Sequence, residues 1–401
     1  MRALYEALPY PSRDPADERR RLITGSPSHL DEVNHYVFAG RLDFARPFRA
    51  LVAGGGTGDA AIMLAQQLTD RVPQGEVVYL DLSQASRAVA EARAKERSLR
   101  NIRFVQGSLL DVAQAAPGPY DYIDCCGVLH HLPDPTAGLA ALARVLRPGG
   151  GLGLMLYGAL GRTGVYPVQE ALRLLAPDGA MRDRVATARR LVAALPETNW
   201  LKRNPHLSSV TADDAALADL LLHPIDRAWR VAEIATLVAG AGLALTGFLP
   251  PLRYDPLTYL QDPALRERAA ALPWIESCAL AEALAGNLKT HVFYAVKDRS
   301  RAEALAVPSP RSVPVLTKQG ADVLAPAFAR KPRLGANLDG ITLDLEVGEH
   351  AAAIIGAVDG ARSLTAIRAA AKLTPPVFNA AFATLYRVLN GLNLMLLREA
   401  P

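Results

Sequence analysis

Four glycines in the run Leu51-Val52-Ala53-Gly54-Gly55-Gly56-Thr57-Gly58-Asp59 follow an apolar stretch that reads as a strand, and a helix follows them. Glycine has no Cβ, so the main chain there can turn sharply and come close to a ligand. The start of the helix adds N–H groups that lack partners within the helix. A turn of this kind cradles a nucleotide-like cofactor. Asp81 ends the next apolar run, Val77-Val78-Tyr79-Leu80. Its carboxylate can accept from both hydroxyls of a ribose and would repel a 2′-phosphate. His130 and His131 follow a later strand and could supply a base near neutral pH; alternatively the two rings fix a loop by hydrogen bonds. Tyr157, at the end of another strand, either orients a substrate or packs as a half-buried aromatic.

The elements that position these residues alternate regularly. Strands are expected at 48–53, 77–81, 102–105, 120–126 and 152–157, with helices at 60–68, from Ser83 to Glu96, and at 139–146 ahead of Pro148-Gly149-Gly150-Gly151. Ser83 is a suitable N-cap. Such alternation implies an α/β fold, a doubly wound, mostly parallel seven-stranded Rossmann-like sheet covered on both faces. Ligands bind outside the carboxyl ends of such strands. The glycine turn, Asp81, Ser108 and Cys126-Gly127 all fall at those ends, so four separate segments converge on one crevice. Residues 1–45 read as an N-terminal arm, and its Tyr, Pro and Arg residues suit a lid. The main domain spans 46–298. Within it, residues from about 160 to 225 read as a helical insertion over the crevice, with Tyr166 and Glu170 at its start. A helix at 231–239 precedes closing strands at 243–249 and 291–296. Residues 299–320 read as a linker. In 321–401, three helices and a strand at 392–397 follow a winged-helix pattern.

The glycines alone leave the cofactor open. Gly56-x-Gly58-x-x-Ala61 satisfies a dinucleotide fingerprint, so a nicotinamide enzyme fits this turn as well. The downstream segments are more specific: Phe104-Val105-Gln106-Gly107-Ser108-Leu109-Leu110-Asp111, Tyr120-Asp121-Tyr122-Ile123-Asp124, Gly127-Val128-Leu129-His130-His131-Leu132 and Leu146-Arg147-Pro148-Gly149-Gly150. In order and spacing they resemble the seven-stranded S-adenosylmethionine-dependent methyltransferases over roughly residues 46–160. Tyr5-Glu6-Ala7-Leu8-Pro9-Tyr10-Pro11 is similar to the arm of a bacterial group of these enzymes. The resemblance implies that Gly54, Gly56 and Gly58, with Gly55 and Thr57, approach the methionine part and the ribose. It implies Asp81 on the ribose hydroxyls with Leu82 beside it, Ser108 and Leu109 around the adenine, and backbone groups of Cys126 and Gly127 near the methionine end. His130, His131 and Tyr157 would then lie near the reacting methyl group. Two departures matter. The family often carries an acid where Val52 stands, to hold the methionine ammonium, and an Asp where Ser108 stands. A serine can still accept one hydrogen bond. A module that binds the cofactor without transferring its methyl group is a third reading.

Composition narrows the partners. Half of the 401 residues are hydrophobic and the net charge is +4, with both signs interleaved; Arg19-Arg20-Arg21 reads as a solvated face. The third helix of the C-terminal unit carries one Arg, Arg387, which disfavours nucleic acid. A protein or peptide partner, or a homodimer contact, suits that unit better. No apolar run is long enough for a membrane span. Three cysteines without a pairing framework point to the cytoplasm. His29, Glu32 and His35 lack a fourth ligand, so no metal is expected. The acceptor is an unidentified protein, peptide or small molecule.

Overall fold

The computed structural model describes residues 2–207 and 213–400; part of the expected insertion, 208–212, lies outside them. The chain forms two compact units. The first comprises the residues up to His29, Phe44–Ala244 and Gly286–Asp298; the second comprises Leu30–Asp43, Leu245–Ala285 and the residues from Arg299 on.

Seven strands build the central sheet: β1 (Phe48–Ala53), β2 (Gly75–Asp81), β3 (Ile102–Gln106), β4 (Tyr120–Cys126), β5 (Leu146–Tyr157), β6 (Leu243–Leu249) and β7 (Thr290–Lys297). Their order is β3-β2-β1-β4-β5-β7-β6. β1 to β5 pair in parallel, and β7 runs antiparallel to β5. Apolar runs such as Leu51-Val52-Ala53 and Val77–Leu80 are buried, as strands covered on both faces must be. The order reverses between β1 and β4, and a crevice opens there at the carboxyl ends. Helix Gln84–Glu96 is capped as expected, with Ser83 accepting from the Ser86 N–H. β5 begins at Leu146, not Leu152: the Pro-Gly-Gly-Gly run lies within the strand rather than ahead of it, next to a register shift against β4.

The insertion is helical, with helices Val165–Leu175, Met181–Ala194, Trp200–Arg203 and Asp214–Leu221. Their apolar faces share one core, which includes Val165, Leu172, Leu217 and Leu221 and takes in Leu4 of the N-terminal helix.

In the second unit, the expected helices appear as Ala351–Gly356, Leu364–Ala370 and Pro375–Gly391. Phe378, Phe382, Leu385 and Ile354 lie in its core. Residues read as linker contain β8 (Ser312–Leu316), which pairs antiparallel with β11 (Met395–Glu399); it is five residues long, holds Pro314 and has no in–out alternation to mark it in the sequence. A hairpin of β9 (Arg333–Leu338) and β10 (Ile341–Glu346) precedes the three helices. Among the described residues no helix is long and apolar enough to cross a membrane.

Candidate active site

A cavity of about 570 Å³ opens in the first unit at the carboxyl ends of β1, β2, β4 and β5, within the range of small-molecule sites. Gly54, Gly55, Gly56, Asp81, Leu82, Ser108, Leu109, Cys126, Gly127, His131 and Tyr157 line it, whereas Thr57, Gly58 and His130 do not. Thr57 is fully buried and donates its hydroxyl to the Pro11 carbonyl at 2.6 Å. It ties down the arm instead of facing a ligand. Gly58 is the N-cap of helix Asp59–Arg71 and packs on Ala90.

The turn depends on missing side chains. Gly56 has φ +49°, and a Cβ there would stand 2.8 Å from the Tyr10 carbonyl oxygen. The N–H groups of residues 54–58 are engaged within the protein; those expected to be free belong to the helix that begins at Asp59. Gly54 and Gly55 donate to the Leu80 carbonyl, Gly56 to Asp81 at 2.8 Å, Thr57 to the Tyr10 carbonyl and Gly58 to the Gly55 carbonyl. A pyrophosphate at this turn would need such donors. The turn offers a close main-chain surface with an acid beside it, which suits a ligand with hydroxyls and positive charge.

Asp81 also accepts from the Ser83 N–H at 2.8 Å. A carboxylate has about four acceptor sites, so Asp81 keeps acceptor capacity for a ribose hydroxyl. Burial pushes its pKa up against the backbone N–H bonds from Ser83, Gly56 and Leu82. Ser108 uses its oxygen to cap the following turn, accepting from the Leu110 N–H at 3.1 Å. The N–H of Gly127 donates to the Met155 carbonyl, and that of Cys126 is bonded to the Asp124 side chain. Of the backbone groups expected near the methionine end, the two N–H groups are thus engaged, which leaves the carbonyls. The arm closes this side: Tyr10, Pro11 and residues 23–28 line the cavity, and Arg13 pairs with Asp59 at 2.6 Å.

The opposite end is built of side chains. Asp219, from helix Asp214–Leu221, is buried; it accepts from Tyr5 at 2.8 Å and from Tyr157 at 2.7 Å. His131 Nδ1 lies 2.8 Å from the Ile225 carbonyl, which can only accept, so Nδ1 carries the proton. Nε2 then holds a lone pair; it is buried without a hydrogen-bond partner, 3.9 Å from Asp219. Burial holds the imidazole below its ordinary pKa, against the pull of Asp219. His223 stacks on the His131 ring at 3.6 Å, its own pKa pushed down to about 3 by burial. His130 is fully buried and stacks on Tyr157 at 3.8 Å. His130 does not line the cavity, and neither of its ring nitrogens has a partner, so it supports the tyrosine. Arg162 covers the other side of Tyr157, 3.8 Å from the ring, and pairs with Asp226 at 2.5 Å.

Residues 51–152 match a family described as a methyltransferase domain. The chain is 34% identical over 304 residues to the uncharacterized protein syc1184_c of Synechococcus; the match covers 73% of this chain and 70% of that one. The chain belongs to the S-adenosylmethionine-dependent methyltransferases. A shorter match, 40% identical over 115 residues, links it to the tRNA 5-carboxymethoxyuridine methyltransferase of Escherichia coli; it covers 28% of this chain and 41% of that enzyme. The fold is like that of PKMT2 from Rickettsia typhi in complex with AdoHcy, with a TM-score of 0.63 at 15% identity, covering 94% of this chain and 77% of that one. The methyltransferase uses S-adenosylmethionine, and its residues fit that molecule: a main-chain turn packed too closely for side chains, and beside it a buried carboxylate for the ribose. The nicotinamide alternative fails on strand order, since β7 stands between β5 and β6 where the dinucleotide fold runs 3-2-1-4-5-6.

Sequence reasoning missed Asp219, Tyr5 and Asp124. An acid inside the apolar run Leu217-Ala218-Asp219-Leu220-Leu221 was the available signal for the first.

Proposed function

We propose that this methyltransferase acts on an amine nitrogen carried by a protein, a peptide or a small molecule, and that the amine enters at Asp219. The observation that carries this reading is a buried carboxylate in the cavity wall with two tyrosine hydroxyls on it and, among the described residues, no Lys or Arg within 4.0 Å. A buried carboxylate without a counter-ion is costly, and a cationic amine removes that cost. Asp81, Leu82, Ser108 and Leu109 would hold the adenosine part of the cofactor, and Gly54 to Gly56 its amino-acid part. The cofactor supplies an activated methyl group on a sulfonium, so the protein's task is positioning and handling one proton.

The amine must lose a proton before its lone pair can attack. His131 Nε2 is placed to take that proton, with Nδ1–H fixed on the Ile225 carbonyl. Asp219 faces both the incoming amine and His131, so the charge it stabilises moves from one to the other. A sulfonium nearby disfavours a second cation on the amine, which pushes the proton toward His131. Tyr5 and Tyr157 keep their protons: burial and Asp219 raise both pKa values, so they orient Asp219 and do not act as bases. The three cysteines are free, which supports a reducing cytoplasm. The helices of the second unit suit a protein or peptide partner.

Labelled S-adenosylmethionine offered with two panels, one of primary and secondary amines and one of phenols and carboxylic acids, tests the reading. Label is expected in amines and to be lost with Asp219→Asn. Label entering only the second panel would overturn it.

A further inference from the structure

Four carboxylates line the cavity: Asp59, Asp81, Asp124 and Asp219. Asp59 is neutralised by Arg13 and Arg93. Asp81 and Asp219 serve the ribose and the acceptor. Asp124 has no assigned work. It sits on β4, 1% exposed, opposite Val52 in the β1–β4 register. Paired residues on neighbouring parallel strands point to the same face, about 4.8 Å apart. Val52 and Asp124 accordingly both line the cavity beside the glycine turn.

We propose that Asp124 binds the α-ammonium of the cofactor's amino-acid tail, a task that Val52 cannot perform. The proposal rests on the cofactor lying in this cavity.

Asp124 is held in place for such a contact. Ser28 donates its hydroxyl to one carboxylate oxygen at 2.7 Å. Ser28 is itself fixed, because Tyr122 and Tyr294 both donate to the adjacent Pro27 carbonyl, at 2.6 and 3.0 Å. Pro27 can lie this close only because Gly153, opposite Asp124 on β5, has no side chain; a Cβ there would meet the proline at 2.6 Å. The Cys126 N–H supplies the remaining bond. The titratable groups facing Asp124 are the thiols of Cys125 and Cys126, both kept protonated by burial. Among the described residues no Lys, Arg or His lies within 4.0 Å. Two neutral donors do not replace a counter-ion, and burial lifts the carboxyl to about 7. A bound ammonium supplies the missing charge and ionises Asp124, releasing its proton to solvent.

Calorimetry with two probes tests this. S-adenosylhomocysteine carries the amino-acid tail; 5′-methylthioadenosine shares its adenosine and thioether but lacks the ammonium. Asp124→Asn preserves shape and should weaken S-adenosylhomocysteine about 10–100-fold, leaving 5′-methylthioadenosine within about twofold. Equal losses for both probes, or none, would overturn the assignment. A wild-type measurement is independent of whether the variant folds. At pH 6.5, titrations in buffers of different ionisation enthalpy should show proton release with S-adenosylhomocysteine and none with 5′-methylthioadenosine. Identical proton exchange for the two probes would count against Asp124. Failure of both probes to bind the wild type would instead refute the placement of the cofactor.

Discussion

The two ends of the cavity are made differently. The cofactor end consists of main chain and a few short side chains drawn from consecutive strand ends, and its specificity comes from what glycine leaves out. The acceptor end consists of side chains from segments far apart in the sequence: Tyr5 from the arm, His131 and Tyr157 after β4 and in β5, Asp219 from the insertion. A constant ligand is thus met by a backbone surface that any substitution disturbs. A variable ligand is met by side chains that can change without disturbing the sheet. Mutations at one end should accordingly spare the function of the other.

The largest effect should come from Gly56→Val. Its Cβ would collide with the Tyr10 carbonyl, and its φ is in the left-handed region, so S-adenosylhomocysteine affinity should fall at least about 100-fold in calorimetry. Retained affinity would show that the turn is not the cradle. His131→Gln should lower kcat about 10²–10⁴-fold, the usual contribution of a positioned base, while S-adenosylhomocysteine binds as in the wild type. Joint loss of turnover and cofactor affinity would merge the two ends. Asp81→Ala should weaken S-adenosylhomocysteine about 10–100-fold, with kcat at saturating cofactor little changed.

Acidity separates the ends further. His131 is held below its usual pKa by burial, so the acid limb of kcat at saturating cofactor should lie below about 6.5. The apparent cofactor affinity should already fall as pH drops through about 7, where Asp124 takes up a proton. Without cofactor the sign for stability is opposite. The folded pKa of Asp124 lies above its unfolded value of about 3.9, so its contribution to stability is full below that value and is lost as pH rises through about 7. Asp124→Asn should flatten that part of a Tm-against-pH curve. The smallest effect should be Thr57→Val, which removes the bond to the Pro11 carbonyl and should cost about 1 kcal/mol in denaturant unfolding.

The convergence of the glycine turn, Asp81 and Ser108 on one cavity was legible because its parts are local: a glycine run after a strand, an acid closing the next strand, a serine after the third. The sequence disclosed the sheet for the same reason. It misjudged Thr57, since Pro11 and Tyr10 reach it from more than forty residues away. It misjudged His130 because adjacent histidines cannot share a face, and only packing decides which one reaches the cavity. Asp219 and Asp124 interrupt apolar runs, yet what satisfies each is contributed by distant segments. Strand β8 escaped notice because its partner lies about 80 residues further along the chain.

A crystal structure with S-adenosylhomocysteine bound tests the division of the cavity most directly. The ribose hydroxyls should lie within hydrogen-bond distance of Asp81 and the sulfur should face the Tyr157–His131–Asp219 end. Adenosine lodged against Asp219, or a sulfur turned away from it, would contradict this account.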